Sequence, residues 1–328
     1  MIKKIFYLLI ILIFLIGCGG STYQVEPPIN DVGEINIGVL RGPTGLGMLH
    51  LMKENEQNNT QNNYHFNILG SPDEIPSLLI QGAIDLAAVP SNLASVLYNV
   101  TKGEIQAIAI NTLGVLHIMD TTSEINQIED LRGRTIFLSG LGAVPEFVLN
   151  YILNMNGLIP GEDVFLSFRS EHTEIAALLT EGEASIALLP EPFATTVFNN
   201  IESVNFALDL TEEWNKIGED YALVMGVLVG RRDFIEQNKE QIISFLHEYE
   251  ISINFVNENI EEAAQLAVDF GIIPNANIAT MAIPRSNLVF ITGNTMKTYL
   301  EGFLNVIYNE NPMSVGGNMP TNNFFFID

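Results

Sequence analysis

From residue 34 to about residue 189 the chain repeats one pattern: an apolar run, a small-residue turn, an amphipathic stretch, then another apolar run. The apolar runs fall at 35–40, 66–69, 84–89, 105–110, 135–138, 164–168 and 186–189. They are short, and β-branched and aromatic side chains recur in them, as strands require. Between them, 74–81, 145–155 and 174–181 carry apolar residues at helical spacing. Strands joined through helices run largely parallel, because a helical crossover returns the chain to the same end of the sheet. The pattern confines the chain to an α/β fold with helices covering its sheets.

Two segments a hundred residues apart sharpen this. Residues 77–99 read SLLIQGAIDLAAVPSNLASVLYN, and 177–199 read ALLTEGEASIALLPEPFATTVFN. Without gaps they share Leu78/Leu178, Leu79/Leu179, Gly82/Gly182, Ala87/Ala187, Pro90/Pro190, Ala94/Ala194 and Asn99/Asn199. Two readings fit: a common helix–Gly–strand–Pro–helix grammar, or two similarly built lobes. The glycine turns favour the second. Arg41-Gly42-Pro43-Thr44-Gly45 ends the first strand of the early half, and Ser139-Gly140-Leu141-Gly142 ends the first strand of the later half. In open α/β sheets ligands bind outside the carboxyl ends of strands, so two such turns should face one crevice.

Charge narrows the partners. Asp and Glu number 39 against 14 Lys and Arg, a formal charge of −25, which argues against nucleic acid because phosphate binding needs clustered cations. Such a charge favours a soluble monomer. With 328 residues, 47% of them hydrophobic, the chain can bury two cores.

At the N-terminus Lys3 and Lys4 precede an apolar run over 5–16, then Gly17-Cys18-Gly19-Gly20-Ser21. The run is too short to span a bilayer, which takes ~20 residues, and suits a signal-peptide core. Leu15-Ile16-Gly17-Cys18 resembles the lipobox of bacterial lipoproteins, which implies cleavage before Cys18 and lipidation of its thiol. Cys18 is the sole cysteine, so no intrachain disulfide can form. Expected are a signal peptide over 1–17 and a Gly/Pro-containing tether over 18–33, with the folded part held outside the cytoplasmic membrane on a lipid.

Beyond Trp214 the sequence predicts a strand over 221–229 and then helices to about 282, among them 234–255 and 260–270, packing mostly onto the first lobe. At this length the chain resembles a known family. EDLRGRTIFLSG (129–140), LLPEPFATT (188–196) and GVLVGRRDFIEQNKEQIISFL (226–246) look like the substrate-binding proteins of nitrate-, sulfonate- and taurine-type ABC importers, which share a fold with the NMT1/THI5-like thiamine-precursor group. The resemblance implies a type II periplasmic-binding-protein fold: two α/β lobes, two hinge crossovers near 111–115 and 221–227, and a ligand in the cleft. It places lobe I at 34–112 and 226–328 and lobe II at 113–225. It further implies a small-molecule ligand, an ABC permease as partner, and no cofactor.

Residues at strand ends are the expected ligand contacts. Thr44 and Gly45 head a helix whose free N–H groups can hold an anion or carbonyl. Arg41 could pair with an acid, or be an exposed strand-end arginine. Ser91 and Asn92 follow Pro90, where Ser91 could equally be a helix cap. Asn111 and Thr112 end the strand before the first crossover. From the second lobe come Ser139, Gly140, Gly142, Glu191 and Phe193. Glu191 suits either an amine or hydroxyl ligand or a helix start. His172 reads as a surface turn residue, and Trp214 as a packed surface or interlobe residue, with stacking on a ligand ring as the alternative.

Enzyme motifs are wanting. The first glycine turn lacks the Gly-Lys-[Ser/Thr] of a phosphate loop and the spacing of a dinucleotide loop. Ser139 lacks the preceding glycine of a nucleophile elbow. The five histidines are scattered, with no metal-binding pair at helical spacing. A non-enzymatic solute-binding protein is the reading; a ligand-presenting sensor lipoprotein and a thiamine-pyrimidine-synthase-like enzyme are its alternatives.

Overall fold

The computed structural model describes residues 33–327. The expected signal peptide, Cys18 and all of the tether but Gly33 lie outside the described residues. Within them run eleven strands: β1 (Glu34–Leu40), β2 (Asn63–Leu69), β3 (Leu86–Pro90), β4 (Ile105–Leu113), β5 (Leu116–Asp120), β6 (Thr135–Ser139), β7 (Phe165–Arg169), β8 (Ile186–Pro190), β9 (Asn205–Asp209), β10 (Val224–Arg231) and β11 (Leu288–Ile291).

They form two sheets, ordered β11-β4-β10-β3-β1-β2 and β7-β6-β8-β5-β9. Leaving β11 aside and reading from β2 and from β7, the two sheets have one plan. Three strands come first: β1 pairs parallel with β2 and β3, and β6 with β7 and β8. The fourth place is antiparallel to both neighbours, and the first strand after a crossover fills it. β5, which follows directly from β4, pairs with β8 and β9; β10, returning from the second sheet, pairs with β3 and β4. This is the two-lobed α/β arrangement the sequence pattern predicts.

The internal repeat sits at equivalent places. Residues 77–99 cover the end of helix Ile75–Ile80, then β3 and most of helix Ser91–Val100; residues 177–199 cover the end of helix His172–Glu181, then β8 and most of helix Phe193–Asn200. Gly82 and Gly182 end the first helix of each unit with φ of 70° and 72°. That left-handed turn is why both positions are glycine.

Strands β5, β9 and β11 have no counterpart among the predicted ones. β5 places His117 and Asp120 in fully buried positions, so its sequence LHIMD shows neither alternation nor an unbroken apolar run. The return strand begins at Val224, later than predicted. Tyr221 is held in the crossover, where its carbonyl accepts from Trp214 Nε1 at 3.0 Å and its ring presses on Gly302. Trp214 is buried against Tyr151 of the second lobe and Phe303 of the C-terminal helix Gly293–Glu310. That helix packs on both Ser91–Val100 and Val144–Met155 and so braces the hinge side of both lobes. A large apolar cluster accordingly runs from Val89 and Leu97 through Leu116, Leu223 and Trp214 to Leu149 and Leu188.

The two crossovers touch at Gly114. A Cβ there would lie 2.2 Å from Thr211 Oγ1 and 2.7 Å from Leu223 Cδ2. Gly114→Ala should therefore lower stability by about 1–3 kcal/mol through overpacking, read as a lower urea midpoint. Adding Thr211→Ala, which removes the nearest atom, should recover part of the loss.

Candidate functional site

β1 delivers Arg41 and Gly42 to the crevice. Gly42, at φ 102°, turns the chain into the short helix Pro43–Leu46. At Gly45 a Cβ would sit 2.1 Å from the carbonyl oxygen of Leu40, so this turn closes only around glycine. Below it lies a closed polar knot. Asn111 Nδ2 donates to the Thr44 carbonyl at 3.2 Å and to the Tyr249 hydroxyl at 3.0 Å, and Thr112 Oγ1 donates to Asn111 Oδ1 at 3.1 Å. Asn111 and Thr112 are fully buried, and burial raises the pKa of Tyr249, which keeps its hydroxyl protonated. Gly226 of β10 admits the knot, since a Cβ there would meet Asn111 Oδ1 at 2.5 Å and Thr44 Cγ2 at 2.7 Å.

Ser91 neither caps its helix nor faces the crevice. It is wholly buried, and its hydroxyl donates to the Val224 carbonyl at 2.7 Å, tying that helix to the returning strand. Asn92 Nδ2 reaches the Ser314 carbonyl at 3.4 Å and steadies the C-terminal segment.

In the second lobe Ser139 Oγ and His172 Nδ1 are 2.8 Å apart, and the His172 ring lies 4.7 Å from that of Phe193. Burial lowers the pKa of His172, so the imidazole is neutral near pH 7. Ser139 and His172 join the two strand-end loops behind Phe193. No acid hydrogen-bonds the imidazole among the described residues, so the pair lacks the orienting carboxylate of a catalytic triad. Gly140 and Gly142 adopt φ of 84° and 72°, and the Gly142 N–H donates to Glu146 Oε2 at 2.5 Å.

Glu191 is buried, and its carboxylate accepts from Thr195 Oγ1 at 2.9 Å and from the Thr195 N–H at 3.3 Å, fastening the start of its helix. His117 Nε2 stands 3.7 Å from Glu191 Oε1, and His117 Nδ1 stands 3.9 Å from Asp209 Oδ2. Burial pushes Glu191 up to about 7, against the pull of its Thr195 hydrogen bonds and of Arg285, and pushes His117 down to about 4. Arg285, from the first lobe, lies 4.4 Å over the ring of Phe206 in the second.

A cavity of about 510 Å³ opens between the lobes. Arg41, Gly42, Ile272, Ile273 and Ile278 line it from one side; Thr173, Phe193 and Val197 line it from the other. At its rim Asn277 Nδ2 donates to Asn199 Oδ1 at 3.3 Å across the gap. Of the expected contacts, Arg41 and Phe193 face this cavity. Thr44, Gly45, Ser91, Asn92, Asn111, Thr112, Ser139, Gly140, Gly142 and Glu191 are not among its lining side chains. Sequence reasoning missed the wall 272–278. Its signal was an apolar pair before Pro274-Asn275, where Asn275 caps the next helix by accepting from the Ile278 N–H.

No family model matches the chain, and no curated protein matches it in sequence. Solved structures do share its fold. An ABC transporter protein from Parabacteroides distasonis is 22% identical, with a TM-score of 0.76 over 90% of this chain and 99% of its own. The periplasmic aliphatic sulphonate-binding protein of Escherichia coli is 13% identical, with a TM-score of 0.70 over 89% and 92%. The periplasmic nitrate-binding protein of Synechocystis PCC 6803 is 13% identical, with a TM-score of 0.62 over 86% and 82%. The fold is that of periplasmic binding proteins.

The raised Glu191 pKa sets a pH dependence. The folded state holds this proton more tightly than the unfolded chain, whose carboxyl titrates near 4.5. The resulting stability is full below 4.5 and is lost as pH rises through about 7. Glu191→Gln, which keeps an acceptor for Thr195, should be more stable than wild type at pH 8 by on the order of 2 kcal/mol. That advantage should vanish near pH 4.5, as seen by thermal melts across the range.

Proposed function

We propose that this chain is an extracytoplasmic, lipid-anchored solute-binding protein that captures a small organic nutrient by hinge closure and delivers it to an ABC permease. The observation that carries the reading is the cavity between the lobes, whose walls come from both. A pocket divided in this way is complete only when the lobes approach, so a ligand filling it binds the closed form better than the open one. Two crossovers meeting at Gly114 and Leu223 supply the hinge. The closed form is then the surface a permease recognises.

The anchor follows from Cys18 and its lipobox-like setting. No helix among the described residues is long and apolar enough to cross a membrane. Proteins of this fold that bind an aliphatic sulphonate or nitrate make transport the readiest use of the architecture. The expected monomer and the expected absence of a cofactor belong to the same reading, as does binding without chemical change to the ligand.

The test is a melting screen of the full chain, in mild detergent, against vitamins, pyrimidines, sulfonates, amino acids and aromatic acids. A true ligand at 100 times its dissociation constant should add ~2.7 kcal/mol of stability and leave the compound unaltered. Phe193→Ala should weaken binding of that compound about tenfold or more by removing a wall. A screen without a single shift, or turnover of the compound, would refute the reading.

A further inference from the structure

The interior polar groups at the strand ends are committed to one another. Asn111 is shared between Thr44 and Tyr249, Ser91 is spent on Val224, and Ser139 on His172. What the cavity offers a ligand is different: mainly apolar surface about Phe193 and the 272–278 segment, asparagine and threonine groups among it, and the guanidinium of Arg41 at the edge. Arg41 is the only charged side chain on that lining. It forms no ion pair among the described residues, although the chain carries 39 acidic side chains against 14 basic ones.

Each wall excludes something. A nitrate-sized anion would leave most of a 510 Å³ apolar hollow unfilled, whereas cavities of ~300–1,000 Å³ suit ligands of drug-like size. A zwitterion would find no carboxylate on the lining to pair with its ammonium group, and a charge without a counter-ion in a mainly apolar cavity is costly. An apolar ring fits the face of Phe193 and the aliphatic wall. A single carboxylate matches the planar, two-pronged donor of Arg41.

Resting on the solute-binding reading above, we infer that the ligand is a ring-bearing organic monoacid, its ring between Phe193 and the Ile272–Ile278 wall and its carboxylate on Arg41. Neutral rings without the acid bind the same wall more weakly, and small or zwitterionic anions do not bind.

Isothermal titration of the full chain in mild detergent tests this with 4-ethylbenzoate, 2-naphthoate and indole-3-carboxylate, with 2-naphthamide, nitrate and taurine as counterparts. At least one of the three acids should bind, and 2-naphthoate at least tenfold more tightly than 2-naphthamide. Arg41→Gln should erase that preference by weakening the acid and leaving the amide as it was, with the melting temperature unchanged. Nitrate or taurine binding while all three acids fail would overturn the ligand class and leave the solute-binding reading standing. An amide that binds as tightly as its acid, or a preference that survives Arg41→Gln, would overturn the role of Arg41. Failure of these compounds together with every compound of the broad melting screen would instead bring down the solute-binding reading itself.

Discussion

In each sheet one central strand, antiparallel to both neighbours, is the first that the chain forms after crossing between the lobes. β5 follows the first crossing and stands antiparallel in the second sheet, and β10 follows the return and stands antiparallel in the first. The second sheet is contiguous in the chain, whereas the first cannot join β3 to β4 until β10 has returned between them. This plan has two connections, and contact at Gly114 makes them neighbours. Two adjacent crossings define a hinge line, about which lobes with separate sheets can rock. The helix Gly293–Glu310 lies along that side and touches both lobes, while at the far rim Asn277 bonds Asn199 across the gap.

Polar groups in the interior serve two distinct ends. Those at the crossing of β4 and β10 hold backbone segments that have no other means of alignment: Asn111 binds the first glycine turn, and Ser91 binds the returning strand. Glu191 does the same for the helix that carries Phe193, and its burial keeps it near its titration point at neutral pH. These groups shape the crevice from behind. The side chains in front, which line the cavity, are mainly apolar.

Much of the fold was legible in the sequence because parallel strands buried on both faces read as unbroken apolar runs, and because Gly82 and Gly182 mark the same turn twice. β5 escaped notice because His117 and Asp120 hold buried positions in it, and β11 because a four-residue apolar run is short. The site was less legible, and for a physical reason. Small polar residues at strand ends look alike whether they reach a ligand or a neighbouring carbonyl, and Ser91, Asn111 and Thr112 reach their own chain. Conversely, Ile272, Ile273 and Ile278 read as ordinary core, because nothing in a sequence tells an apolar side chain facing a cavity from one facing another side chain. Arg41, directly after β1, and Phe193, at the start of the helix that follows β8, were expected at the crevice, and both line the cavity.

The most direct measurement of the clamp is a distance across the crevice. Spin labels at Glu202 and Gln265, on exposed positions of the two lobes in a chain carrying Cys18→Ser, allow it by double electron–electron resonance. The account predicts a broad or two-peaked distance distribution without ligand, which narrows to its shorter component when a compound that raises the melting temperature is added. A single distribution that the same compound leaves unmoved would contradict it.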